Sequence, residues 1–137
     1  MEIRKIPANK TWSLRHEVMW PHKDMEYVKL ENDNDGIHYG LFIKNKLISV
    51  ISLFIKENQA QFRKFATRTA KQGRGYGSKL LNYIIEESKS LGLEKIWCNA
   101  REDKVDFYKK FGLIESTNSF NRGKIKYIIM ERTLVIE

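Results

Sequence analysis

The sequence predicts an α/β (α+β) fold, a central mixed, mostly antiparallel sheet of about seven strands with helices on both faces. Three observations carry this. Short β-rich runs separated by two or three polar residues demand antiparallel hairpins, because parallel neighbours need a long crossover. A later strand, helix, strand succession supplies one such crossover, right-handed, which sets strands 4 and 5 side by side in parallel. Apolar residues fill 42% of 137 positions, enough for one hydrophobic core and one domain over 1–137.

The elements follow in order. Glu2 to Ile6 reads as a first strand. Thr11 to Met19 reads as a helix that ends before Pro21, since proline has no N–H and restricts the residue ahead of it. The polar run Glu31 to Gly36 is a loop. Ile37–Ile43, Leu47–Ile55 and Ala60–Thr67 follow as strands joined by Lys44-Asn45-Lys46 and Glu57-Asn58. In the third of them Phe62 and Phe65 break the period of two, which predicts a bulge. Leu80, Leu81, Ile84, Ile85 and Leu91 recur at helical spacing until Gly92. Lys95–Asn99 is the fifth strand, Lys104–Phe111 a helix stopped by Gly112, and Gly112 to Leu134 a hairpin around Asn121-Arg122-Gly123.

Composition narrows the function. No run of apolar residues is long enough to cross a membrane, and no basic-then-apolar leader opens the chain at Met1-Glu2-Ile3. The single cysteine, Cys98, excludes an internal disulfide, and three scattered histidines give no metal spacing, so a cytoplasmic protein without metal is expected. The formal charge is +8. Between Gln59 and Ile85 there is no Asp or Glu, while Arg63, Lys64, Arg68, Lys71, Arg74 and Lys79 supply cations. Nucleic acid, an anionic membrane or a phosphorylated small molecule would each suit such a segment, as would a solvated face.

Within that segment Gly73, Gly75 and Gly77 alternate just before a helix. A helix start offers unpaired N–H groups and partial positive charge to phosphate oxygens, and residues without a Cβ let the backbone close on them. The order Gly77-Ser78-Lys79 does not fit a Walker A loop, and Ser78 stands where a dinucleotide fingerprint needs its third glycine. What remains is Gln72-x-x-Gly75-x-Gly77 after a strand.

Together with the element order and with Asn99 followed by Phe107-Tyr108-Lys109-Lys110-Phe111-Gly112-Leu113, that loop resembles the GNAT superfamily of acetyl-CoA-dependent N-acetyltransferases. The one departure is Leu113 where the family usually has phenylalanine. The resemblance implies a GNAT fold in which strands 4 and 5 splay apart around the pantetheine arm. It implies that the main chain of Phe65, Ala66 and Thr67 pairs with that arm. Gln72, Gly73, Arg74, Gly75, Tyr76, Gly77 and Ser78 would cradle the pyrophosphate, and Asn99 would bind the cofactor arm. Tyr108 matches the family's general acid, which returns a proton to the coenzyme A thiolate after an amine has attacked the thioester. Its alternative is an aromatic packed beside Phe107 and Phe111.

The stretch Leu14-Arg15-His16-Glu17-Val18 is similar to an LRxxV helix of small-molecule acetyltransferases, where the arginine faces the acceptor. Arg15 is accordingly expected to hold an acidic group of the substrate or to form a surface ion pair. His38 is expected at the edge of the acceptor pocket or as a hydrogen-bonded strand residue. The function expected is acetyl transfer to a small-molecule amine, with no nucleic-acid or membrane partner; oligomeric state is left open by the sequence, and a homodimer is what the resemblance suggests, since the last hairpin often mediates dimers in similar proteins. A protein acceptor, or a non-catalytic module binding coenzyme A or nucleic acid, is the competing reading.

Overall fold

Two residues per turn are all that separate the central strands, and both turns are held in the left-handed region. Lys44 and Asn45 have φ of 49° and 66°, Glu57 and Asn58 of 52° and 62°. These angles suit type I′ turns, whose twist matches that of the strands they join. The computed structural model describes residues Met1 to Leu134. Its strands are β1 (Glu2–Ile6), β2 (Ile37–Ile43), β3 (Lys46–Lys56), β4 (Gln59–Thr67), β5 (Lys95–Arg101), β6 (Ile114–Arg122) and β7 (Ile125–Thr133). They form one seven-stranded sheet in the order β1-β2-β3-β4-β5-β7-β6. The β4–β5 pair is parallel, in the register Gln59↔Lys95, Ala60↔Ile96, Gln61↔Trp97, as the crossover required. The helices are α1 (Asn9–Met19), α2 (Tyr76–Ser90) and α3 (Val105–Lys109).

The chain divides into two compact units, one of Met1–Phe54 with Arg63–Ile84 and one of Ile55–Phe62 with Ile85 onward. In the first, α1 sets Leu14 against Val50 and Ala66, with Ile6, Val18, Met19 and Leu47 packed around them. Tyr39, Leu41, Ile51 and Leu53 from β2 and β3, and Leu80, Leu81 and Ile84 from α2, are fully buried. Each such aliphatic side chain stabilises the fold by about 1.5–3 kcal/mol. In the second unit β5 alternates: Ile96, Cys98 and Ala100 are buried while Asn99 is exposed. Leu113 and Met130 complete that core. After α2, Gly92 takes φ +73° and the Leu93 N–H returns to the Ser88 carbonyl at 3.1 Å, a left-handed C-cap that only glycine adopts without strain.

Three elements differ from the sequence expectation. The loop expected at Glu31 to Gly36 contains a 3-10 turn at Asp33–Asp35 whose first residue is buried. The helix expected over Lys104–Phe111 is preceded by a 3-10 turn at Glu102–Lys104 and is itself shorter, Val105–Lys109, because Lys104 leaves the helical region at φ −110° and ψ 2°. Strand β5 runs on to Arg101, where pairing with Tyr127 of β7 holds it extended. No helix is long and apolar enough to cross a membrane.

Candidate active site

The glycine loop lies in the first unit, between a 3-10 turn at Thr69–Lys71 and α2. Gly73 and Gly75 have φ of +78° and +83° with open space where a Cβ would stand. Gly77 is different. A Cβ there would come within 3.2 Å of both the Phe65 ring and the Thr67 hydroxyl, so the helix start sits directly on β4. The Lys79 N–H donates to the Gly75 carbonyl at 3.1 Å and opens the helical ladder. The N–H groups of Tyr76, Gly77 and Ser78 are therefore the first-turn donors that a helix cannot satisfy itself. Arg74 and Lys79 are exposed and Lys71 half-buried. None of the three joins an ion pair among the described residues, whereas Arg68 is tied to Glu17 at 2.7 Å and to the Leu47 carbonyl at 2.6 Å.

Strand β4 brings Phe65, Ala66 and Thr67 beside this loop. Two of its carbonyls already accept side-chain donors: Ala66 from the Ser49 hydroxyl at 3.0 Å, and Thr67 from the Gln72 amide at 2.9 Å. Gln72 thus pins the loop to the strand through its side chain. One residue earlier, Lys64 has φ +53°. It is the one non-glycine residue with positive φ outside the two hairpin turns among the described residues. A left-handed residue inside a strand costs on the order of 1–2 kcal/mol, and this one falls between Phe62 and Phe65, whose spacing predicts a bulge.

The second unit carries Tyr108 on α3 and Asn99, exposed, on β5. The Tyr108 ring is tilted against Phe62 at 5.6 Å and edge-on to Phe107 at 5.2 Å. Burial pushes its phenol pKa well up, with a smaller contribution from Cys98 nearby. Among the described residues its hydroxyl donates to no protein group. A phenol so placed stays protonated and has its proton to give. Cys98 is buried, its thiol pushed up to about 12 by desolvation, which removes it as a nucleophile at neutral pH.

Arg15 and His38 meet in a different place, the interior of the first unit. Arg15 is fully buried and its terminal nitrogens donate to both Asp33 carboxylate oxygens at 2.9 Å, to Ser52 Oγ at 3.0 Å and to the Val28 carbonyl at 3.1 Å. His38 Nε2 faces the Asp33 carbonyl at 2.7 Å, an atom that only accepts, so Nε2 carries the hydrogen. Nδ1 then accepts from Ser52 Oγ at 2.7 Å. The bonds close a ring: Arg15 to Ser52, Ser52 to His38, His38 to the Asp33 main chain, Arg15 to the Asp33 side chain. Burial pushes the Asp33 pKa up, but hydrogen bonds from Arg15, the Leu30 N–H and Trp12, with the Arg15 charge, outweigh it and leave the carboxyl below its ordinary value. The structure thus departs from both sequence readings of Arg15, which neither faces solvent as a surface ion pair nor offers a terminal nitrogen to a substrate. His38 is the hydrogen-bonded strand residue.

Sequence reasoning missed Asp33 and Ser52. Both look like ordinary polar residues, one in a loop and one in a strand, and only the fold brings them to Arg15. Among the described residues no three His, Cys, Asp or Glu side chains gather as a metal set.

Residues 7–113 match the model of the Acetyltransferase (GNAT) family, and the chain belongs to that family. Over 144 aligned residues it is 28% identical to the uncharacterised N-acetyltransferase YitI of Bacillus subtilis strain 168, covering 98% of this chain and 97% of that one. The fold is shared with the ribosomal-protein-S18-alanine N-acetyltransferase from Escherichia coli, at TM-score 0.81 and 16% identity over 99% of this chain and 95% of that one. It is shared equally with an aminoglycoside 6'-N-acetyltransferase complexed with coenzyme A, at TM-score 0.79 and 17% identity over 100% and 99%. The protein is therefore an acyltransferase enzyme of the N-acetyltransferase type.

Proposed function

We propose that the protein moves the acetyl group of acetyl-CoA directly to an amine of a small-molecule acceptor, as one catalytic domain over 1–137 in the cytoplasm. The observation that carries this is the start of α2. Three first-turn N–H groups stand there beside glycines that keep the backbone bare, with Lys71, Arg74 and Lys79 in no ion pair. A diphosphate satisfies those donors and that charge together. Gly73 to Ser78 would hold the pyrophosphate, with Gln72 fixing the loop, and the main chain of Phe65, Ala66 and Thr67 would pair with the pantetheine. Asn99 is assigned to the cofactor arm.

Acetyl-CoA supplies a thioester. The acceptor nitrogen forms a bond to the acetyl carbon, the carbon–sulfur bond breaks, and the sulfur leaves needing a proton. Tyr108 holds that proton, since its buried phenol remains protonated well above neutral pH. The acceptor amine must shed a proton as it reacts, and solvent receives it.

Calorimetric titration with acetyl-CoA tests the reading. Saturable binding that weakens when Gly75 becomes valine is expected, and no heat at millimolar ligand would sink it. A screen of amines read by released thiol then separates small molecules from peptide N-termini. Acetylation confined to peptides would move the acceptor to the protein class.

A further inference from the structure

We infer that Ser49, a buried residue of β3 with no part in the acyl transfer itself, is a positioning residue for the cofactor arm: it turns the Thr67 hydroxyl so that the oxygen accepts an O–H or N–H of the arm next to the diphosphate. The inference rests on the acetyltransferase reading. It adds a side-chain contact, and the residue behind it, to the main-chain pairing assigned to β4.

Ser49 is fully buried. Its Oγ lies 3.0 Å from the Ala66 carbonyl oxygen and 2.9 Å from Thr67 Oγ1. A serine hydroxyl has one hydrogen, and a carbonyl oxygen can only accept. The hydrogen of Ser49 is therefore committed to Ala66, and the other bond has to run from the Thr67 hydroxyl to Ser49 Oγ. Thr67 then has no hydrogen left to give. What its oxygen still offers is lone pairs, and among the described residues nothing donates to it.

That oxygen stands at the diphosphate end of β4. Thr67 is half-buried, and a Cβ on Gly77 would come within 3.2 Å of its Oγ1. Gly77 is one of the three first-turn residues of α2 whose N–H groups are assigned to the diphosphate. An oxygen with lone pairs and no hydrogen repels a phosphate oxygen, so the diphosphate itself is not its partner. The arm brings a hydroxyl and then an amide N–H directly after the diphosphate, and either one donates to a lone pair. Two bonds hold the backbone around Thr67: the Gln72 amide to the Thr67 carbonyl at 2.9 Å, and the Arg68 N–H to the Ile48 carbonyl at 2.8 Å. Among the described residues, only Ser49 sets where the hydroxyl hydrogen points. Without Ser49 that hydrogen is free to turn toward the ligand, and the acceptor becomes a donor.

The test is calorimetric, on the full chain, with coenzyme A and with adenosine 3′-phosphate 5′-diphosphate, which is the same nucleotide without the arm. Thr67→Val keeps the shape and removes the oxygen. It should weaken coenzyme A binding about three- to tenfold, the scale of one hydrogen bond, while the armless nucleotide binds as it does to the parent. Ser49→Ala should weaken coenzyme A on the same scale, again sparing the armless nucleotide. The double variant should bind coenzyme A no worse than Thr67→Val alone, because Ser49 acts only through Thr67. Thr67→Ser, which restores the hydroxyl, should recover most of the affinity that Thr67→Val loses. A Ser49 that serves packing alone would lower the melting temperature and leave the ratio of the two affinities untouched, and that outcome overturns the inference. So do an equal loss for both ligands, additive losses in the double variant, or undiminished coenzyme A binding by Thr67→Val. Should Ser49→Ala fail to fold, the two variants at the half-buried Thr67 still decide the matter. Acetyl-CoA binding by the parent separates the two levels: its absence fells the acetyltransferase reading, whereas its presence with any of the overturning results fells only this one.

Discussion

Replacing Arg15 by methionine is the sharpest test of what the buried ring does. The substitution removes hydrogen bonds to both Asp33 oxygens, to Ser52 and to the Val28 carbonyl. It leaves the Asp33 carboxylate, 6% exposed, with only the Trp12 indole at 3.1 Å and the Leu30 N–H at 2.9 Å. Breaking a buried ion pair by deleting one partner costs about 3–5 kcal/mol. With a urea dependence of about 2 kcal/mol per molar, the unfolding midpoint should fall by on the order of 2 M. Tryptophan fluorescence in a urea titration reads this, since Trp12 is bonded to the ring. The double variant Arg15→Met/Asp33→Leu should recover most of the loss, because no charge is then left buried. A midpoint shift below about 0.5 M for Arg15→Met would refute the reasoning. So would an unchanged midpoint with a raised acceptor KM, the signature of a substrate ligand. Acidity adds a check. The Asp33 pKa is lowered in the folded state, so its contribution is present above the unfolded value near 3.8 and is lost as pH falls through the folded one. Arg15→Met should erase that share of the acid sensitivity.

Three further outcomes are expected. Tyr108→Phe should lower kcat by about a hundred- to ten-thousandfold while calorimetric affinity for acetyl-CoA stays put; an unaltered kcat would assign proton delivery elsewhere. Because the Cys98 and Tyr108 pKa values are raised on folding, stability should decline as pH rises above about 9, where the unfolded thiol ionises first, and Cys98→Ala should blunt the early part of that decline in alkaline melts. Gly75→Val places a β-branched side chain at φ +83°, at a cost of about 1–2 kcal/mol, and should weaken acetyl-CoA binding; a variant that binds as the parent does would show that the loop does not depend on that backbone angle.

How much of this was legible in the sequence depends on whether the signal was local. Hairpin turns, the helical spacing of Leu80 to Ile85 and the βαβ order are written in neighbouring residues, and they give the sheet and its parallel pair. The glycine loop was legible for the same reason, since conformational freedom belongs to each glycine. The buried ring was not. Arg15, Asp33, His38 and Ser52 lie on four separate elements, and nothing near any one of them distinguishes a fully buried arginine from an exposed one. The resemblance of Leu14 to Val18 to an LRxxV helix led the sequence reading to a substrate for Arg15, and its full burial corrects it. Lys64 was half legible: the spacing of Phe62 and Phe65 pointed to an irregularity in β4, but the left-handed angle at Lys64 needed the backbone.

The two left-handed turns at Lys44-Asn45 and Glu57-Asn58 also set an order of assembly. Strands β2, β3 and β4 can zip together through contacts close in the chain, on the microsecond scale of hairpins. Strand β5 must wait for everything from Arg68 to Glu94 to emerge and fold back across. Until β5 docks, the flank of β4 that it covers in part has no neighbouring strand.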